Sequence, residues 1–144
     1  MGVTFMCYML YLGTDVVLPT SEFEGGCIFF LSDTDARIEV ARQHFSKSHI
    51  YYAGSHTGCG CGFFFDENDG PDEVKQAKAS VQKLCETIEV ALQSDSSVEL
   101  LVTWAGFEDV SPERRMEMTP DMIFADTRFP FDEGDFITFT KKNS

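Results

Sequence analysis

The segment from Pro71 to Ser94 constrains the fold more than any other part of this sequence. Its apolar residues recur at the i, i+3, i+4 spacing of one helix face, while lysines and glutamates fall mostly on the opposite side. Pro71 suits the first helical position, and Asp72 and Glu73 complement the positive end of the helix dipole. A helix with one long apolar face must cover a partner surface. The sequence therefore predicts one long helix, about 71–94, packed on a sheet.

Several shorter segments have the composition of strands. Runs rich in aromatic and β-branched residues predict strands at 3–12, 27–31, 98–104 and 135–140. The first of these is apolar on both faces and is therefore expected in the middle of the sheet. Residues 114–118 are a further candidate, expected to pair with 98–104 through a loop.

Two shorter helical segments accompany the long one. The run at 32–34 (Ser32, Asp33 and Thr34) offers helix caps. After it, Ile38, Ala41 and Phe45 recur at helical spacing, which predicts about three turns ending near residue 46. Pro120 opens a short apolar turn. Hairpins combined with one long helix predict an α+β fold, with a mixed or antiparallel sheet packed by the long helix and the short helices.

Composition narrows the class of protein. Apolar residues make up 43% of the 144-residue chain, which supplies one core for a single domain spanning 1–144. The net charge of −13 repels phosphate backbones, so nucleic-acid binding is not expected. The chain has no apolar run long enough to span a bilayer and no signal-peptide pattern, so no membrane association is expected. Five cysteines without framework spacing predict reduced thiols and a cytoplasmic location.

The densest group of chemically reactive residues lies between His49 and Cys61. This segment holds two of the three histidines and two of the five cysteines. Residues 49–53 and 63–65 have strand composition, which predicts a hairpin with a wide, glycine-rich tip at 54–62.

The first interpretation of this tip is a metal site. Thiolates and imidazoles suit zinc, and His56, Cys59 and Cys61 converge if the glycines let the backbone curl. The Cys-x-Cys spacing is not a standard zinc spacing, and an extended strand would hold the two sulfurs roughly 6–7 Å apart, so a bend is required. A fourth ligand is expected to be water, a carboxylate, or one of His49, Cys7 and Cys27.

Other interpretations of the tip remain open. In a thiol redox site, one of Cys59 and Cys61 is the nucleophile, helped by His56, and the other resolves the product. The absence of Lys and Arg from 54–70 opposes the thiolate that this needs. Alternatively, the glycines simply let the tip pack closely, with both cysteines as small buried hydrophobes. An anion-binding glycine loop is disfavoured because Phe63, and not a helix, follows the glycines.

Two strings, CYMLYLGTD at 7–15 and HIYYAGSHTGCGCGF at 49–63, resemble segments of small uncharacterised bacterial proteins. The resemblance implies that the first strand and the glycine-cysteine segment belong to one fold, and it implies no activity.

The density of reactive residues at the tip gives the functional hypothesis: a small metal site, with zinc as a possible ion, or a thiol site. The alternative is a non-enzymatic interaction module that binds a protein partner or its own copies, with structural cysteines. Whether the chain is an enzyme is left open by its sequence.

Overall fold

The fold is built on one six-stranded mixed sheet. The computed structural model describes residues 7–124 and 128–141. The strands are, in chain order, β1 (Tyr8–Thr14), β2 (Phe29–Ser32), β3 (His49–Ser55), β4 (Val98–Trp104), β5 (Arg114–Met118) and β6 (Asp135–Phe139). Their order across the sheet is β2-β3-β1-β4-β6-β5, and every neighbouring pair is antiparallel except β5 and β6. This mixed sheet, with one long helix, is consistent with the predicted α+β class.

The helices are α1 (Ile38–Ala41) and α2 (Pro71–Leu92), with 3-10 turns at Arg42–His44, Gly60–Phe63 and Pro120–Phe124. The prediction of one long helix is confirmed, and α2 ends two residues before the expected boundary. The three-turn helix expected after Thr34 is shorter. Phe45 is already extended, and its ring packs against Phe136 with centroids 5.3 Å apart. Among the helices in the described ranges, none combines the length and the hydropathy needed to cross a membrane.

Strand β1 is buried on both faces, which confirms the predicted central position; residues 3–6 of the predicted strand lie outside the described residues. Leu10 and Leu12 belong to the core beneath α2, while Met9 and Tyr11 belong to the smaller core beneath α1. An alternating strand with apolar residues on both sides needs a layer on each face. Cys7, the residue immediately before β1, is therefore positioned at one end of the central strand.

A buried ion pair stabilises the opposite end of β1. Lys47 Nζ lies 2.9 Å from Asp95 Oδ1, and the two side chains are only 6% and 5% exposed. The Thr14 hydroxyl and the N–H of Asp15 both donate to the other oxygen of Asp95. Burial alone would raise the pKa of Asp95, but these donors and the Lys47 charge outweigh it and hold the pKa at about 2.

The predicted hairpin between 49–53 and 63–65 does not form. Strand β3 pairs with β1 along one edge and with β2 along the other, so no edge is left for a further strand. Residues Gly60–Phe63 form a 3-10 turn instead, and Phe63 is fully buried. The segment expected to be a hairpin tip at 54–62 is therefore the end of β3 followed by a loop that crosses the end of β1.

The predicted pairing of 114–118 with 98–104 is also wrong. Strand β5 forms at the expected residues, but it lies parallel to β6. Strand β6 occupies the free edge of β4 and so separates β4 from β5. The ion pair between Arg114 and the fully buried Asp135 joins β5 to β6.

Candidate metal centre

The chain after β3 folds back on itself within five residues. Both the N–H and the hydroxyl of Ser55 donate to the carbonyl of Cys59, at 3.1 and 2.6 Å. Gly58 closes the turn by donating to the carbonyl of Ser55, and its φ of 88° is one that residues with a side chain rarely adopt. This turn supplies the bend that the Cys-x-Cys spacing requires.

The following 3-10 turn presses against the first residue of β1. A methyl group placed on Gly60 would lie 2.5 Å from the carbonyl oxygen of Tyr8, so only glycine allows this approach. In the same contact, the N–H of Tyr8 donates to Sγ of Cys61 over 3.2 Å. The loop and the start of the central strand are thus in direct contact, next to Cys7.

Three thiols converge at this contact. The Sγ atoms of Cys7, Cys59 and Cys61 all lie within 4.8 Å of one another, and each residue is half-buried and free of any disulfide. A tetrahedral zinc ion with Zn–S bonds of about 2.3 Å needs sulfurs about 3.8 Å apart. Small side-chain rotations are therefore enough to turn these thiols into three ligands of one ion.

The local electrostatics suit a cation better than a nucleophile. Burial raises the pKa of Cys61 to about 11; the Tyr8 N–H opposes this shift, and the neighbouring Cys59 and Cys7 add to it. A thiol with this pKa stays protonated at neutral pH and attacks electrophiles slowly. A bound metal ion would favour deprotonation of these thiols, because its charge compensates the thiolates that form around it.

Predicted ligand His56 does not join the group of three thiols in the described part of the chain. Its backbone N–H and its ring Nδ1 both contact Oγ of the buried Ser80, at 3.1 and 3.0 Å. Ser80 has one proton, which it donates to the carbonyl of Ile28 over 2.8 Å, so it accepts from Nδ1. The proton of a neutral His56 therefore sits on Nδ1. The ring lines a cleft of about 550 Å³ that also includes Cys27 and Asp72.

The other predicted ligand, His49, lies at the far end of the same strand. It begins β3 and pairs with Thr14 across the sheet, whereas the loop leaves β3 after Ser55. Seven residues of strand separate these ends by roughly 20 Å. The structure thus brings together Cys59 and Cys61 of the predicted set and adds Cys7, which the sequence offered only as one of several candidates for a fourth ligand.

Aromatic rings pack together at the start of β1, next to Cys7 in the chain. The ring of Tyr8 stacks on Phe64 with centroids 3.7 Å apart and packs on Trp104 at 4.1 Å. Trp104 is the only tryptophan of the chain. Its emission therefore reports on the contact between β1 and the loop.

No protein-family model matches this chain, and comparisons with curated proteins and with solved structures find no match. The function must therefore be inferred from the geometry of the thiols and their surroundings.

Proposed function

We propose that this protein binds one thiophilic metal ion, with zinc as the expected ion, through Cys7, Cys59 and Cys61. The observation that carries the proposal is the convergence of three sulfur atoms within 4.8 Å of one another. One of them comes from a position more than 50 residues before the other two. Three thiolates supply three of the four ligands of a tetrahedral site, and solvent reaches the fourth position because the cysteines are only half-buried.

Thiolates are the ligands that soft ions such as zinc prefer, and the net charge of −13 attracts cations to the protein surface. The raised pKa of Cys61 disfavours the competing role of a reactive nucleophile. A cytoplasmic location, which we also propose, keeps the three thiols reduced and available.

The proposal keeps Cys59 and Cys61 as ligands and takes the third, Cys7, from the residues that the sequence offered for a fourth ligand. It assigns His56 a structural role, because its Nδ1 is engaged by Ser80 and fixes the start of the loop. His49 has no part in the proposed site because it lies at the other end of β3.

The test is metal analysis of protein purified without a histidine tag, under reducing conditions, and then dialysed against zinc. We expect about one zinc per chain. Replacing Cys7, Cys59 or Cys61 by Ser should remove it, whereas Cys27→Ser, a matched control at another half-buried cysteine, should retain it. Circular dichroism of each variant separates loss of the ligand from loss of the fold.

Wild-type protein that remains metal-free after this treatment would overturn the proposal. Thiols that react only after denaturation would then support the alternative, an interaction module with structural cysteines that binds a protein partner or its own copies.

A further inference from the structure

We propose that oxidation closes the three-thiol site: a peroxide converts Cys7 and one of the two loop cysteines, Cys59 or Cys61, into a disulfide, and the metal ion is released. This inference rests on the proposed function for the ion and goes beyond it by naming how occupancy of the site is regulated.

The three thiols stay close together whether or not an ion is present. The N–H of Ala105 donates to the carbonyl of Cys7 over 2.8 Å, which fixes Cys7 to the chain that follows β4. On the other side, the N–H of Tyr8 holds Sγ of Cys61. Backbone contacts therefore set the separation of the sulfurs, and loss of the ion leaves the thiols within reach of one another.

Among the three possible disulfides, the two that include Cys7 are favoured. A bond between Cys59 and Cys61 closes a small ring around a single residue, and such a ring is strained. That residue is Gly60, which is already pressed against the carbonyl of Tyr8 and has little room to adjust. Cys7 lies in a separate segment, immediately before β1, so a bond from Cys7 to the loop requires side-chain rotation and closes no small ring.

The chemistry balances with one peroxide per disulfide. A thiolate sulfur attacks the O–O bond, giving a sulfenic acid and an alkoxide, or hydroxide when the oxidant is hydrogen peroxide, which takes a proton from the solvent. A second thiol then displaces the sulfenic hydroxyl as water and forms the S–S bond. The two sulfurs together lose two electrons, and the O–O bond takes them up.

One disulfide is sufficient to empty the site. It removes two of three sulfur ligands, since a disulfide sulfur carries no thiolate charge for the ion. The remaining thiol alone does not hold zinc against water. The site therefore has two states, reduced with ion and oxidised without ion.

Tryptic peptides distinguish the possible disulfides. Trypsin cleaves after Arg37, Lys47 and Lys75, so Cys7 lies in peptide 1–37, while Cys59 and Cys61 share peptide 48–75. Cys27 also falls in the first peptide, so the experiment uses the Cys27→Ser variant, and Cys85 lies in a separate peptide. Zinc-loaded protein is treated with hydrogen peroxide, blocked with N-ethylmaleimide, digested without reductant and analysed by mass spectrometry, while released zinc is followed with a chromogenic chelator.

We expect peptides 1–37 and 48–75 to be linked, to carry a single N-ethylmaleimide and to separate on reduction. Zinc release should follow the appearance of the linked pair, and reduction should restore binding. A disulfide confined to peptide 48–75, or zinc that remains bound to the linked protein, overturns this inference and leaves the proposed function intact. Reduced protein that never binds zinc overturns the proposed function and, with it, the regulated release.

Discussion

The main-chain N–H of Tyr8 donates a hydrogen bond to Sγ of Cys61 over 3.2 Å, between residues that are 53 positions apart in the sequence. A backbone donor holds a sulfur most strongly when that sulfur is a thiolate, because hydrogen bonds to charged acceptors are shorter and stronger than those to neutral ones. If the proposed ion binds, this contact should therefore tighten, which would link metal binding to the docking of the loop on β1.

Zinc affinity should increase with pH. The pKa of Cys61 is about 11, so between pH 6.5 and 8 the empty site holds this proton and must release it when the ion binds. Release of the Cys61 proton alone should lower the dissociation constant for zinc about tenfold for each unit by which the pH increases. Competition with a chromogenic chelator of known proton affinity measures this slope. A dissociation constant that does not change across the range would remove Cys61 from the ligand set.

Replacing Gly60 by Ala should weaken both the fold and the zinc site. The added methyl would lie 2.5 Å from the carbonyl oxygen of Tyr8, which forces the 3-10 turn away from β1. We expect a loss of about 1–3 kcal/mol in the free energy of unfolding, the usual cost of overpacking, together with weaker zinc binding. Urea denaturation, followed by the emission of Trp104, measures the first effect. Gly25→Ala is the matched control, because no atom lies within 4 Å of its added methyl, and it should change neither quantity.

Asp95→Asn should destabilise the protein by roughly 2–3 kcal/mol at pH 7, because it removes the nearer partner of the buried Lys47 charge and leaves only the half-exposed Asp15 at 3.6 Å. The folded-state pKa of Asp95, about 2, lies below its ordinary value of 3.8, so its stabilising effect is present above pH 4 and is lost as pH falls towards 2. The difference between wild type and variant should therefore shrink by about 1 kcal/mol between pH 7 and pH 3. Urea denaturation at both pH values measures it. An unchanged difference would mean that the pKa of Asp95 is not depressed in the folded protein.

The neutral His56 ring should carry its proton on Nδ1, since the Ser80 hydroxyl donates its only proton to the carbonyl of Ile28 and can only accept from the ring. Long-range ¹H–¹⁵N correlation spectra distinguish the two tautomers, and His49 in the same sample is an internal reference. Ser80→Ala should release the Nδ1 tautomer and cost about 1–2 kcal/mol, because it removes the hydrogen bonds that the Ser80 hydroxyl makes with His56 and with the Ile28 carbonyl. A proton found on Nε2 in the wild type would contradict the assigned hydrogen bonds.

The elements with strong periodicity were predictable from sequence. Helix α2 carries its own start signal at Pro71 and one continuous apolar face, and β1 reads as central because both its faces are apolar. Phe63 was misassigned because aromatic residues signal burial, and burial fits a strand only where a sheet edge is free. Both edges of β3 are occupied, so Phe63 is buried from a 3-10 turn instead.

The candidate site was predictable only in part, because it depends on the order of strands. Cys59 and Cys61 lie in one short segment, so their proximity follows from the sequence. Choosing Cys7 over Cys27 requires knowing that β1 lies beside β3 and that the loop crosses its end. His56 was predicted as a ligand because it is close to the cysteines in the sequence, but proximity along the chain does not determine the direction of a side chain. In the structure its ring contacts Ser80.

The position of β6 has a consequence for synthesis of the chain. Among the described residues, β6 follows the other five strands in the sequence, yet it lies between β4 and β5 and is the only described strand that pairs with β5. Until residues 135–139 have left the ribosome, β4 exposes a row of unpaired backbone groups, and β5 has no strand to join. The nascent chain therefore completes this sheet only after residues 135–139 have been synthesised. Until then, the open edge of β4 is a surface on which another chain can pair.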